Sequence, residues 1–201
     1  MRRTATTALL AIGGTALAQP AITIEVEDPV LMPGESTVVT MYAGFDPSDY
    51  AMAEVGTDLL TSVGSDGWRD AVVVGAMDGS RATPGTPSVT GYDGIEARQP
   101  NFGLSWGYAD PSNPIAFWQA VYTAPVDVRD PMEVELSTLT RRYDVYWAMD
   151  SVISESRLAD LTEGAATIRV IPAPASALML SLGLAALCRR REPDRTETRD
   201  A

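Results

Sequence analysis

The sequence contains no histidine and no lysine, and its one cysteine is Cys188. Without histidine there is no Ser-His-Asp or Cys-His triad, no His-ligated zinc, no His-held haem and no imidazole switch. Without lysine there is no Schiff-base nucleophile and no complete phosphate loop ending in Gly-Lys-Ser/Thr. A single thiol excludes an intrachain disulfide and any all-cysteine metal cluster. Positive charge is scarce as well: 15 basic residues, all arginine, stand against 27 acidic ones, for a net charge of −12 over 201 residues. That balance disfavours nucleic acid, whose phosphates call for a basic face. The length suits one domain with a substantial core.

Both ends read as addresses. Arg2 and Arg3 precede a short apolar run, Ala8 to Leu17, and Ala16 and Ala18 supply the small residues a signal peptidase reads. Residues 1–18 are expected to be a secretory signal peptide. Near the other end Ile171-Pro172-Ala173-Pro174 leads into the apolar stretch Ala175 to Cys188, and Arg189-Arg190-Arg191 follows. That stretch has 14 residues, short of the ~20 that cross a bilayer comfortably. The three arginines place its C-terminal side in the cytoplasm, so residues 19–171 are expected outside.

The C-terminal segment resembles the PEP-CTERM sorting signal of exopolysaccharide-producing Gram-negative bacteria. Pro172-Ala173-Pro174 stands for the Pro-Glu-Pro motif, Leu178 to Leu187 for the short hydrophobic helix, and Arg189, Arg190 and Arg191 for the terminal cluster. Ala173 replaces the family's Glu, and the polar residues Glu192 to Ala201 follow where the family usually stops. The resemblance implies an exosortase-like sorting peptidase as partner at the inner membrane, with cleavage near Pro174. The alternative is a permanent membrane anchor. The expected organisation is a signal peptide (1–18), an extracytoplasmic domain (19–171), a sorting segment (172–191) and a polar tail (192–201).

The middle, residues 19–171, carries 23 acidic and 8 basic side chains, a charge of −15. Its pattern has period two. Ile22, Ile24 and Val26 alternate with Thr23, Glu25 and Glu27; Met132, Val134 and Leu136 alternate with Glu133, Glu135 and Ser137; Tyr143, Val145 and Trp147 alternate with Asp144, Tyr146 and Ala148. Further β-compatible runs are 36–45, 51–61, 70–77, 94–102, 115–123 and 165–171, making about nine strands. Pro, Gly, Asp and Ser clusters such as Asp46-Pro47-Ser48-Asp49 and Asp110-Pro111-Ser112-Asn113 separate them. The expected fold is all-β, an antiparallel two-sheet sandwich of jelly-roll type. Ser154 to Leu161 is the one helix candidate, expected as a single short turn or helix on a loop.

The order of an opening strand, Leu31-Met32-Pro33-Gly34-Glu35, the strand Thr37 to Tyr42 and then Ala53 to Leu60 resembles the cohesin-like sandwich, a relative of carbohydrate-binding modules. The resemblance implies the fold.

Candidate chemistry is thin. Glu133 and Glu135 are two apart on one strand face, and paired carboxylates at this spacing belong to a carboxylate-only glycosidase. Alternation puts them on the polar face, which favours a solvated, non-catalytic reading. Asp46/Asp49, Asp66/Asp70 and Asp110/Asn113 offer the oxygen ligands calcium takes, yet none has a dedicated loop's spacing, and Asp and Asn make turns unaided. No cofactor is expected, and structural calcium is the one metal these turns would suit. Trp118 and Trp147 fall inside strands and are expected in the core. Trp68, Trp106 and Tyr108 sit by glycines on loops, where a flat ring can stack on a sugar. They are the candidate sites for extracellular polysaccharide. The expected role is a non-catalytic exported protein of the cell surface or matrix, binding polysaccharide or a protein partner.

Overall fold

The computed structural model of the chain describes residues 19–102 and 107–172. Ala16, Ala18, Trp106, Ala173, Pro174 and the three C-terminal arginines Arg189, Arg190 and Arg191 lie outside the described residues, and Pro172 is the last one inside.

Eleven strands follow one another: β1 (Ala21–Val26), β2 (Val30–Leu31), β3 (Ser36–Gly44), β4 (Ala51–Thr61), β5 (Trp68–Val73), β6 (Thr83–Ser88), β7 (Gly91–Arg98), β8 (Ile115–Thr123), β9 (Met132–Tyr146), β10 (Glu155–Ser156) and β11 (Ala165–Val170). They form a four-stranded sheet in the order β1-β3-β8-β5 and a seven-stranded sheet in the order β2-β11-β9-β4-β7-β6, with β10 paired to β9. The short β2 runs parallel to β11, and the other pairs are antiparallel. No α-helix occurs among the described residues. The expected all-β sandwich is what the chain forms.

Alternation decides what lies between the sheets. In β3 Val39, Met41 and Ala43 point inward, and in β8 Phe117, Ala120 and Tyr122 do. The larger sheet answers with Val55, Leu59, Ile95, Val134, Tyr143, Val145 and Ile168, all in the same core. Each such side chain contributes about 1.5–3 kcal/mol when fully buried. Four rings join the layers: Trp68, Trp118 and Tyr122 from the small sheet, and Tyr92 from β7. Tyr92 meets Trp118 edge-on at 5.5 Å between centroids, and Tyr122 lies 5.2 Å from Trp68.

Four elements differ from the sequence expectation, and a fifth agrees with it. The two sets around Met132–Ser137 and Tyr143–Ala148 are one strand, β9, because a bulge at Arg141 keeps pairing continuous where alternation breaks. Thr83–Ser88 reads as a Pro-Gly turn but pairs with β7 as an edge strand, the position where proline is tolerated. The run 70–77 divides into β5, which starts at Trp68, and a 3-10 turn at Gly75–Met77. The strand expected at 94–102 is β7, three residues earlier at each end or more. Ser154 to Leu161 holds β10 and one 3-10 turn, Leu158–Asp160, in line with the single-turn expectation.

The β9 bulge also explains a feature of the outer face. It turns Arg141 and Arg142 to the same side, where Arg141 pairs with the buried Asp58 and Arg142 with Glu54 at 2.6 Å. Arg98 joins Glu54 from β7 at 2.5 Å. A second latch closes the side of the sandwich. The Glu163 carboxylate accepts from the Thr138 hydroxyl and from the backbone N–H and hydroxyl of Thr140. These bonds fix the approach to β11 against the middle of β9.

The sandwich has two poles. Strand β9 runs the full height, on the order of 45 Å at about 3.3 Å per residue. At its start Met132 pairs with Val170, the end of β11, so the described chain leaves from this exit pole. At its finish Tyr146 pairs with Ala51, and the segments 45–50, 99–102, 107–114 and 147–154 gather there. We call this end the loop pole.

Candidate functional site

Two buried amides build the loop pole. The inward side of β7 carries Ile95 and Ala97, and the same alternation continues past the strand into Gln99 and Asn101, both buried. The Gln99 Nε2 donates to the carbonyls of Met52 and Asp110, and its Oε1 accepts from the Asp110 N–H. The Asn101 Nδ2 donates to the carbonyls of Met149 and Ser151, and its Oδ1 accepts from the Ala109 N–H. Tyr146 and Tyr50 donate their hydroxyls to the Gln99 and Ala109 carbonyls, over a small core of Ala51, Ala53 and Ala109. Buried polar groups satisfied this fully give a loop region one definite shape. The sequence reading missed both amides, although their place in the alternation was visible.

On this frame sits a loop that hides little of itself. Trp147 is 53% exposed, Met149 49%, Val152 69% and Ile153 72%. The segment Trp147-Ala148-Met149-Asp150-Ser151-Val152-Ile153 has five apolar residues and one charge. Ser151 is buried, its N–H donating to Ala148 O and its hydroxyl to Ile153 O, so the apolar side chains are held outward by a closed turn. Trp147 is therefore not core, contrary to expectation. The strand ends at Tyr146, and the turn carries the indole away from the sandwich.

Across Asn101 lies a shallow cleft lined by Ala76, Gln99, Pro100, Phe102, Tyr108 and Asp110, of about 290 Å³. Tyr108, half-buried, is thus one wall of an open cleft, and Phe102, 60% exposed, is another that the sequence reading did not single out.

Trp68 has a different place. It opens β5, is 8% exposed and packs on Tyr122, Trp118 and Tyr92. The cause is local: Gly67, at φ +79°, turns the chain so tightly that a Cβ would stand 2.6 Å from Thr123 O, and the next residue faces the core. Its indole N–H finds no acceptor. Trp68 is not available for stacking on a sugar, and it does not share the cleft with Tyr108.

The acidic turns work as turns. Asp46 accepts from the Ser48 N–H, which together with the Ser48 hydroxyl holds its carboxyl below the usual range. Asp110 accepts from the hydroxyl and N–H of Ser112, with the same effect. Asp49 is buried and takes two bonds from Arg157. Asn113 bonds both backbone groups of Phe45 as a strand partner would. No cluster of three or more metal-ligating side chains occurs among the described residues. Glu133 and Glu135 are both exposed on the outer face of β9, and Glu133 accepts from Arg169 Nη2 at 2.8 Å. A solvated, ion-paired carboxylate lacks the apolar pocket that readies an acid catalyst.

One charged depression remains, about 160 Å³, over Gly56 and between Glu54, Glu96, Arg141 and Arg142. Its arginines are already paired with Glu54 and Asp58, so it serves the sheet. Burial works to raise the Glu54 carboxyl, but the Arg142 and Arg98 guanidiniums outweigh it and hold the group below its ordinary value. A carboxylate depressed in the fold stabilises fully above its unfolded value, about 4.3, and loses that contribution as pH falls through the folded value. The thermal midpoint should therefore drop on acidification below about pH 4. In Glu54→Gln the decline over that window should be shallower. Asp144, raised by burial, acts in the opposite direction and blunts the effect. An equal slope in the variant would remove Glu54 from the account.

No family model and no curated protein matches the chain in sequence. Among solved structures it is similar to the cohesin of a cohesin–dockerin complex named Coh-OlpA-Doc918 from Clostridium thermocellum, at 13% identity and TM-score 0.48, covering 76% of this chain and 99% of that one. It is similar also to the cohesin of Coh-OlpC-Doc435 from the same organism, at 11% identity and TM-score 0.48, covering 79% and 97%. A cohesin module from a Clostridium perfringens family 33 glycoside hydrolase gives 10% identity and TM-score 0.45, covering 78% and 99%. These likenesses are of overall fold, and what occupies the loop pole has to be argued from the pole itself.

Proposed function

We propose that the chain is a non-catalytic exported module, carried to the cell surface through its C-terminal segment, that binds a protein partner at the loop pole. The observation behind this reading is polar. The chain leaves the sandwich at one end of β9, and the apolar loop Trp147–Ile153 crowns the other end. A module tethered through Pro172 and the residues beyond it would hold that loop some 45 Å along the strand from its tether. Pro172, Ala173, Pro174 and the arginines Arg189 to Arg191 support sorting by an exosortase-like peptidase through their resemblance alone. Polysaccharide is the second reading, favoured by Tyr108 and Phe102 on one cleft with Asp110.

One experiment tests export, display and sorting together. In a Cys188→Ser background, Val152→Cys is exposed to a membrane-impermeant maleimide on intact producing cells, and the labelled protein is weighed intact. Labelling without lysis is expected, on a species ending near Pro174. Labelling after lysis only would overturn display. A labelled species that retains Arg189 to Ala201 would replace sorting with a permanent anchor.

A further inference from the structure

We infer that the loop pole takes a cationic, apolar segment of another protein. The inference rests on the reading of this pole as the binding end, and it names the chemistry of the occupant. Trp147, Met149, Val152, Ile153 and Phe102 each leave about half or more of their surface in water on the loops of one pole, and grouped exposed apolar side chains mark interaction surfaces more often than single ones do. The loop is held in this exposed shape before anything binds. Asn101 grips it through the Met149 and Ser151 carbonyls from inside, so little ordering would oppose association.

Charge decides which apolar surface fits. Asp46, Asp110, Asp150 and Glu155 ring the pole, and the first three have no ion-pair partner among the described residues. Arg157, which follows β10, is already committed to Asp49 at 2.7 Å and Glu155 at 3.1 Å, and Arg98 at the end of β7 is committed to Glu54. A second copy would bring the same acids against them, and an anionic bilayer would meet the same repulsion. A sugar face is met best by flat rings with polar neighbours, and the loop offers one indole beside three aliphatic or thioether side chains. Leucine-like side chains flanked by arginine or lysine satisfy both the loop and its rim.

The exported protein is titrated with a synthetic 14-residue leucine/lysine peptide and with a leucine/glutamate peptide of the same pattern, following the part of the tryptophan fluorescence change that is lost in Trp147→Phe. Binding of the lysine peptide alone is expected, weakening with salt. Ile153→Asp should weaken it at least tenfold, and Asp150→Asn a few-fold with a flatter salt dependence. Near-UV circular dichroism of the buried Trp118 cluster shows that both variants are folded. Because Ile153→Asp adds negative charge, unchanged or tighter binding would mean simple ion attraction and would overturn the inference. So would equal binding of the glutamate peptide, preference for phosphatidylcholine/phosphatidylglycerol vesicles, retardation by the matrix polysaccharide lost in Tyr108→Ala, or concentration-dependent dimers in sedimentation. None of these outcomes bears on surface labelling at position 152, so the two proposals fail separately.

Discussion

Trp118→Ala should lower the stability of the sandwich by about 4 kcal/mol, the middle of the range for deleting a buried aromatic. Trp118 is fully buried in β8 and meets Tyr92 of the opposite sheet edge-on. Its Nε1 donates to Pro84 O at 3.0 Å, so the ring also ties the small sheet to the edge strand β6. Removing it leaves a cavity between layers and a carbonyl without its donor. Domains of this kind have about 5–15 kcal/mol in all, so the variant should be marginal. Urea unfolding followed by far-UV circular dichroism gives the number. A loss under about 1.5 kcal/mol would mean the layers close over the gap. Trp68→Phe provides the comparison, since the Trp68 N–H has no acceptor to lose.

Gln99→Ala should cost about 3 kcal/mol and should loosen one end before the other. The amide satisfies three backbone groups, one on buried Met52 and two on Asp110 at the wall of the cleft. Its deletion strands the Met52 carbonyl and unties the two Asp110 groups, and a buried unpaired group costs about 1–3 kcal/mol. Hydrogen exchange should rise first in the loops 45–50 and 107–114, while amides of β3 and β9 keep their protection. Uniform loss of protection would show that the loop pole and the sheets unfold as one unit. Leucine/lysine peptide binding should weaken in this variant too, because the frame under Asn101 is shared.

The layered core was legible because alternation is a local signal: Val39, Met41, Val134 and Ile168 point inward as their spacing requires. The β9 strand was split because Thr138, Arg141 and Arg142 interrupt the pattern, and the bonds that hold Thr138 and Thr140 come from Glu163, distant in sequence. Trp68 and Trp147 exchanged roles for one reason. Whether an aromatic beside a turn faces in or out depends on the turn's φ and on where pairing stops, which composition does not encode. Tyr108, expected on a loop, lines a cleft with Phe102, which was passed over as the end of a strand. Gln99 and Asn101 looked like surface residues by type, and only their phase with Ile95 and Ala97 marks them as interior.

The margins of the sheets carry a consequence for crowding. Edge strand β6 has prolines at two of its six positions, Pro84 and Pro87, so it presents a broken row of donors. At the far margin β2 is two residues long. In the small sheet β1 is partly covered where Ile22 N–H donates to Thr162 O, and β5 is bent at Asp70, which sits at φ 56°. Among the described residues no sheet margin offers a long flat template for another strand. Many copies packed side by side on a surface would stay separate particles, repelled by like charge and unable to zip into fibres. On the tether proposed above, their loop poles would face outward as a field of discrete, equally oriented contacts.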